Sequence, residues 1–313
     1  LLEKLANNPQ HPHLLIIGSY RDKDLDQNIA FTQAIHRLTS APLQATFVKI
    51  EPLTKQDTQQ FISDALSHPF DAFEPLARIS FEKTQGNPFF LNQFLQGLYE
   101  EKLIFLEGNR WVWREESIRG CALSDNVIDF MVDKIQRLSP QSQAVIQLAA
   151  CIGNPVALPI LAAVYQASIE DTADDLWQAL AEGLIFPINT NQLNDQATTH
   201  STRYRFVHDR VQQAAYSLIP QEKIQALHHT FGLVMLERLP EEEQGRRIFD
   251  ITNHLNQAHT LITAPDERTQ LANLNLQAGR RAKEAAAFES AFDYFQTGID
   301  LLPQDSWNSQ KQL

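Results

Sequence analysis

The chain has 313 residues, enough for two or three domains with sizeable cores. Its 26 basic and 38 acidic residues leave a net charge of −12, which opposes non-specific binding to nucleic acid or to anionic lipid. Two cysteines, Cys121 and Cys151, have no metal-ligand spacing and make no disulfide framework; no apolar run nears the ~20 residues of a membrane span, so a cytoplasmic protein is expected.

Leu1–Ala6 reads as the end of an amphipathic helix, and the first residue is not Met, so a piece of a longer protein is expected. Leu14–Ser19 is an unbroken apolar run ending in small residues, the pattern of a strand buried on both faces of a parallel sheet. Tyr20-Arg21-Asp22 sits just beyond its carboxyl end, where open α/β sheets bind ligands. Arg21 there suits a nucleotide's terminal phosphate, and it equally suits a surface pair with Asp22 or Asp24. Position alone leaves both open. Ala30–Leu38 reads as a short helix and Ala45–Ile50 as a second strand at the far edge of the same sheet. Residues 1–50 are thus expected to be the carboxyl-terminal part of an α/β domain, and the rest of the chain mainly α.

Over 51–120 the spacing predicts helices at Thr54–Ser67, Phe73–Thr84 and Phe89–Tyr99, the last two separated by Gln85-Gly86-Asn87-Pro88. Gly86 suits a left-handed helix end and Pro88 the first turn of the next helix, which by itself accounts for the break. Lys102–Leu106 and Arg110–Arg114 flank Glu107-Gly108-Asn109 as a hairpin with Trp111 and Trp113 on one face. Gly120–Asp125 reads as a linker into a second domain, 121–220, with helices at Val127–Leu138, Gln141–Cys151 (opened by Ser139-Pro140), Pro155–Tyr165 and Ile169–Glu182. Leu184–Ile188 and Arg203–Val207 then pair around the polar loop Asn189–Ser201, an order of helices followed by a wing. The helix that would enter a DNA groove carries Glu170, Asp171, Asp174, Asp175 and Glu182 and no lysine or arginine, so phosphates would repel it. No nucleic-acid partner is expected.

At Thr202–Pro220 the two-residue period of Tyr204, Phe206 and His208 gives way to the helical spacing of Val211, Ala214, Ala215 and Leu218. A strand therefore runs directly into a helix, with Val207-His208-Asp209 on the corner. Asp209 can cap the first turn; His208 is either a packed histidine or a group placed near backbone N–H donors where a phosphate oxygen would sit. Beyond Pro220 come helices at Gln221–Leu239 and Phe249–His259, with His228 and His229 read as solvated or packed rather than metal ligands. Leu271–Leu302 reads as a helical pair with Ala278, Gly279, Ala282, Ala285 and Ala286 small at the approach. Its spacing is similar to one tetratricopeptide-type repeat, so 221–313 is expected to lead into an array continuing past Leu313.

Three stretches together resemble signal-transducing STAND ATPases, the regulatory branch of the AAA-type NTPases. They are Leu14-Leu-Ile-Ile-Gly-Ser-Tyr-Arg-Asp22, Gly86-Asn-Pro-Phe-Phe-Leu91 and Phe206-Val-His-Asp-Arg-Val-Gln-Gln-Ala-Ala-Tyr216. More narrowly, the chain resembles the central module of large bacterial hybrids joining a serine/threonine kinase to a sensor histidine kinase. The resemblance implies a P-loop NTPase sheet edge, a helical lid, a winged helix and helical repeats. It implies that Arg21 reads the γ-phosphate, that Pro88, with Gly86 and Asn87, packs on the adenine, and that His208 meets the phosphates. ATP or ADP with Mg²⁺ would be held mostly by residues upstream. A protein partner on the repeats and kinase domains in the same polypeptide complete the implied set.

The chain has no Gly-x-x-x-x-Gly-Lys-Ser/Thr, no strand ending in paired acids and no His-Arg-Asp kinase loop. It is therefore expected not to hydrolyse ATP alone. The alternatives left open are the same module in a transcription regulator whose DNA-binding domain lies elsewhere, and a nucleotide-independent helical scaffold.

Overall fold

A computed structural model of the chain describes residues 17–20, 46–67, 73–108, 110–120, 127–188 and 202–302. The chain divides into two units, Leu1–Leu53 and Thr54–Leu313. In the first, 17–20 and 46–53 have no regular secondary structure. The strands expected over Leu14–Ser19 and Ala45–Ile50 are therefore absent from their described parts, and Ile17, Val48 and Ile50 are 84%, 80% and 91% exposed. An apolar run becomes a buried strand only where neighbours pair its backbone and cover its faces. The described residues supply no such neighbours. Arg21 lies outside the described residues.

The second unit begins with helix α1, Lys55–Leu66, whose start is set by a capping box: Asp57 N–H donates to Thr54 Oγ1 (3.1 Å) and Thr54 N–H to the Asp57 carboxylate (3.0 Å). Helix α2, Glu74–Thr84, buries Leu76, Ala77 and Ile79; helix α3, Pro88–Glu100, buries Phe90, Leu91, Phe94 and Leu98. Strands β1 (Ile104–Glu107) and β2 (Arg110–Trp113) form the expected hairpin, in register Ile104↔Trp113 to Glu107↔Arg110. Trp113 packs on Phe73, and the Trp111 indole donates to the Leu66 carbonyl (3.0 Å), satisfying one of the orphan oxygens at the end of α1. A short helix α4, Glu115–Gly120, follows, tied to α2 by Arg78–Glu115 and Arg119–Glu82.

Next come α5 (Val127–Gln136), α6 (Pro140–Ile152), β3 (Val156–Ala157), α7 (Leu158–Tyr165), α8 (Ile169–Ala181), β4 (Ile185–Ile188), β5 (Arg203–Phe206) and α9 (Asp209–Ser217). Ser139 caps α6 and Ser168 caps α8, each accepting from the backbone three residues on. The three strands form an antiparallel sheet in the order β3-β5-β4. Strand β3 occupies residues read from the sequence as the start of a helix. Two residues carry no period, and its pairing with Tyr204 and Arg203 is visible only in three dimensions.

The remainder is helical: α10 (Gln221–Arg238), α11 (Glu241–Arg246), α12 (Ile248–Gln257), a 3₁₀ turn at His259–Leu261, α13 (Pro265–Glu284) and α14 (Phe288–Leu301). Helix α10 packs on α6, α7 and α12, and α13 packs on α12 and α14. At two glycines a side chain would not fit: a Cβ on Gly232 would overlap Leu255, and one on Gly279 would overlap Phe295. Ala278 and Ala282 are buried at the approach as expected, whereas Ala285 and Ala286 lie exposed in the turn to α14. Asn256 and Asn275 exchange amide hydrogen bonds (2.9 and 2.8 Å) across α12 and α13. Helix α14 also turns a second apolar stripe outward, with Phe288, Phe292 and Ile299 67%, 66% and 59% exposed. One hydrophobic cluster runs from Phe90 to Leu301, so the described part is mainly helical around a shared core, with a small sheet component.

Candidate functional site

Helix α2 ends in two successive left-handed residues, Gln85 (φ 51°) and Gly86 (φ 72°). Gly86 is buried, and its lack of a Cβ makes that conformation cost little. Asn87 then caps α3: its backbone N–H donates to the Thr84 carbonyl (3.0 Å) and its side-chain oxygen accepts from Phe90 N–H (2.9 Å). Pro88 takes the first helical position, where a missing N–H is harmless. Phe89 and Phe90 follow on the first turn. Phe90 enters the core against Phe130 (5.8 Å), and Phe89 is half-buried at the edge of the same core.

The second part is the corner between β5 and α9. His208 is extended (φ −155°, ψ 149°), and its Nδ1 accepts from the Arg210 backbone N–H (3.1 Å). This corrects the sequence expectation. Asp209 is already the first residue of the helix, and the imidazole folded back from an extended position supplies the capping acceptor. In the neutral ring the acceptor role of Nδ1 puts the proton on Nε2.

These two parts meet. The Phe89 and His208 rings stack with centroids 4.4 Å apart and planes 13° apart. The contact is held by α5, which packs on both α3 and α9. Phe90 meets Phe130, Arg137 pairs with Glu101 (2.7 Å), and the ammonium of Lys134 reaches both Gln93 (3.4 Å) and Glu182 (3.3 Å). Lys134 is buried, and a buried ammonium is tolerable only with such partners. Of the residues singled out from sequence, Gly86, Asn87 and Pro88 thus form one turn, and the phenylalanine that follows them brings that turn to His208. Phe89 had no assigned role in the sequence, and only its half-buried place at the edge of the core, against the His208 ring, shows one.

Chemically the corner offers an N–H donor on a ring fixed by a cap on one nitrogen and by stacking on one face. It lies at the amino-terminal, partially positive end of α9. Arg210 beside it bonds Gln213 (2.8 Å). Among the described residues no group of three His, Cys, Asp or Glu side chains could hold a metal ion. On α8 Trp177 is exposed, and Asp175 accepts from the Tyr165 hydroxyl (2.8 Å). No described helix is long and apolar enough to cross a membrane.

No family model matches the chain. Among curated proteins it is similar to the hybrid signal transduction histidine kinase G of Dictyostelium discoideum, 28% identical over 354 aligned residues that cover 96% of this chain and 10% of that protein. It is also similar to the peroxide stress-activated histidine kinase mak3 of Schizosaccharomyces pombe, 21% identical over 265 residues covering 82% of this chain and 11% of the other. The chain spans about a tenth of the length of these relatives. Over nearly all of its own length, then, it is similar to a segment of a hybrid signal transduction histidine kinase.

Proposed function

We propose that this chain is the regulatory part of a nucleotide-dependent switch within a larger signalling kinase polypeptide. The observation that carries the reading is the stack of Phe89 on His208, which joins two stretches about 120 residues apart at one corner. In this reading Pro88 and its turn, Gly86-Asn87, contact the base of ATP or ADP, and the His208 Nε2–H donates to a phosphate oxygen. Arg21 reads the terminal phosphate of ATP. Most of the phosphate and Mg²⁺ contacts come from residues outside this chain, which would also cover the exposed Ile17, Val48 and Ile50.

The 127–217 segment, read as a winged helix, then acts as a lever. It carries His208 on β5–α9 and leans on the lid helix α3 through α5. Nucleotide state biases the lever only by the difference in contacts it makes with the two positions. The α10–α14 helices, with an apolar stripe on α14, serve as the partner-sensing end, and the output passes to kinase domains in the same polypeptide. Similarity to hybrid histidine kinases supports that setting.

The test is ADP dissociation from the protein extended to include its phosphate-binding residues, followed with a fluorescent ADP. His208→Asn keeps a capping acceptor at the helix start but removes the ring and its N–H. A hydrogen bond to a charged acceptor contributes roughly 1.5–3 kcal/mol, so ADP release is expected to quicken by roughly 10- to 150-fold. An unchanged rate removes His208 from the site and the reading with it.

A further inference from the structure

The end of α6 meets α9, α10 and α12 around two buried imidazoles. His228 on α10 and His254 on α12 are 3% and 8% exposed, and their Nδ1 atoms are 2.7 Å apart. The proton positions follow from the partners. His254 Nε2 is 3.2 Å from the Ile152 carbonyl, which can only accept, so that nitrogen carries a proton. In the neutral ring its Nδ1 is then an acceptor, and the short Nδ1–Nδ1 contact requires the proton of His228. The remaining nitrogen, His228 Nε2, accepts from the Tyr216 hydroxyl at 3.4 Å. The result is one directed chain of donors running from Tyr216 through His228 and His254 to Ile152. Cys151 Sγ lies 3.9 and 3.8 Å from the two His228 nitrogens, nearly equidistant and so aimed squarely at neither. Burial pushes its thiol up to about 12, so it sits there as a neutral packing group.

We propose that the His228–His254 pair is a proton-sensitive latch joining α6, in the segment that carries His208, to the α10 and α12 helices beyond Pro220. The chain of donors tolerates no further proton. Added at His254 Nδ1, it would set two N–H groups against each other across 2.7 Å. Added at His228 Nε2, it would put an imidazolium in a buried site faced by neutral groups only, Tyr216 from α9 and Cys151 from α6. Arg247, just before α12, and Asp250 on its first turn carry opposite charges held in an ion pair (3.0 Å). Helix α7 offers only Tyr165, engaged by Asp175, and α13 meets α12 through Asn275 and Asn256, which do not titrate.

The sign follows from linkage. Burial, with His254 as neighbour, lowers His228 to about 4, and burial lowers His254 as well. Once the junction opens, both imidazoles return to an ordinary value near 6.5. Closure is therefore at full strength above about pH 6.5 and weakens as pH falls below it, by up to about tenfold per pH unit for each histidine, until the closed-state values are reached. This latch does not depend on the nucleotide reading of His208.

Hydrogen exchange of the whole chain at pH 7.5 and 5.5, corrected for intrinsic rates, tests it. Amides at the end of α6 and in α10 and α12 should lose about tenfold protection or more at the lower pH, while α1 and α2 do not. In the double variant His228→Phe/His254→Leu, which removes both partners together, that loss should vanish. Nitrogen-15 spectra of the unaltered chain give a second, independent reading should the variant not fold. They should show the Nδ1–H tautomer at His228 and the Nε2–H tautomer at His254, with neither ring titrating near pH 6.5. Uniform or absent loss of protection, retention of the loss in the double variant, or titration of either ring near 6.5 would each overturn the proposal.

Discussion

The imidazole of His208 holds the first turn of α9 with one nitrogen and stacks on Phe89 with one face, and substitutions can separate these roles. Alanine removes both. Asparagine is itself a strong cap, so it restores the acceptor without the ring. Thermal unfolding should therefore place His208→Ala below His208→Asn by roughly 1 kcal/mol, about 2–4 °C for a unit of this size. Equal melting temperatures would mean that the cap contributes nothing. Sequence reading placed the strand-to-helix corner correctly because the change of period is local. It assigned the cap to Asp209 because residue preferences at helix starts favour Asp over His, and only the extended backbone of His208 shows which side chain folds back. His254 was missed for a related reason: its partners are a carbonyl on α6 and a ring on α10, far off in sequence.

Between helices the decisive spacing is often that of a single atom. At Gly232 on α10 an added Cβ would overlap the buried side chain of Leu255 on α12. Overpacking of this kind costs roughly 1–3 kcal/mol, against a gain of about 1 kcal/mol from replacing glycine inside a helix. Gly245 on α11 has nothing within 4 Å of such a Cβ, so only the gain applies there. Gly245→Ala should therefore be more stable than Gly232→Ala by about 1 kcal/mol or more, read by urea unfolding; the reverse order would show that Leu255 has room to move. The elements themselves were legible wherever their chemistry is local. Thr54, Ser139 and Pro88 mark helix starts in the sequence and do so in the structure. Strand β3 and helix α4 were not legible, since neither is long enough to show a period. The apolar runs near Ile17 and Val48 show the converse limit. Composition can announce a buried strand, but neighbours must bury it.

Across the molecule the continuous core from Phe90 to Leu301 means that α3, the sheet-bearing segment and the following helices do not fold as separate beads. That continuity lets one helix, α5, set the distance between Phe89 and His208, and one histidine pair join α6 to α12. Sequence patterning conveyed the mainly helical character with its small sheet component; it could not convey which elements share a core, because that depends on which faces meet. The outward stripe on α14 has a further result for the chain in solution. Phe288, Phe292 and Ile299 together present roughly 350 Å² of apolar surface, comparable to the largest patch on many monomers. At a net charge of −12, long-range repulsion keeps copies apart at low ionic strength, and added salt screens it. The osmotic second virial coefficient should therefore fall, and turn negative, as sodium chloride rises from about 0.02 M, where the screening length is tens of ångströms, to about 0.5 M, where it is only a few. Phe288→Gln/Phe292→Glu should hold it positive over that whole range with the melting temperature unchanged, whereas a lowered melting temperature would show that the stripe is packed within the chain.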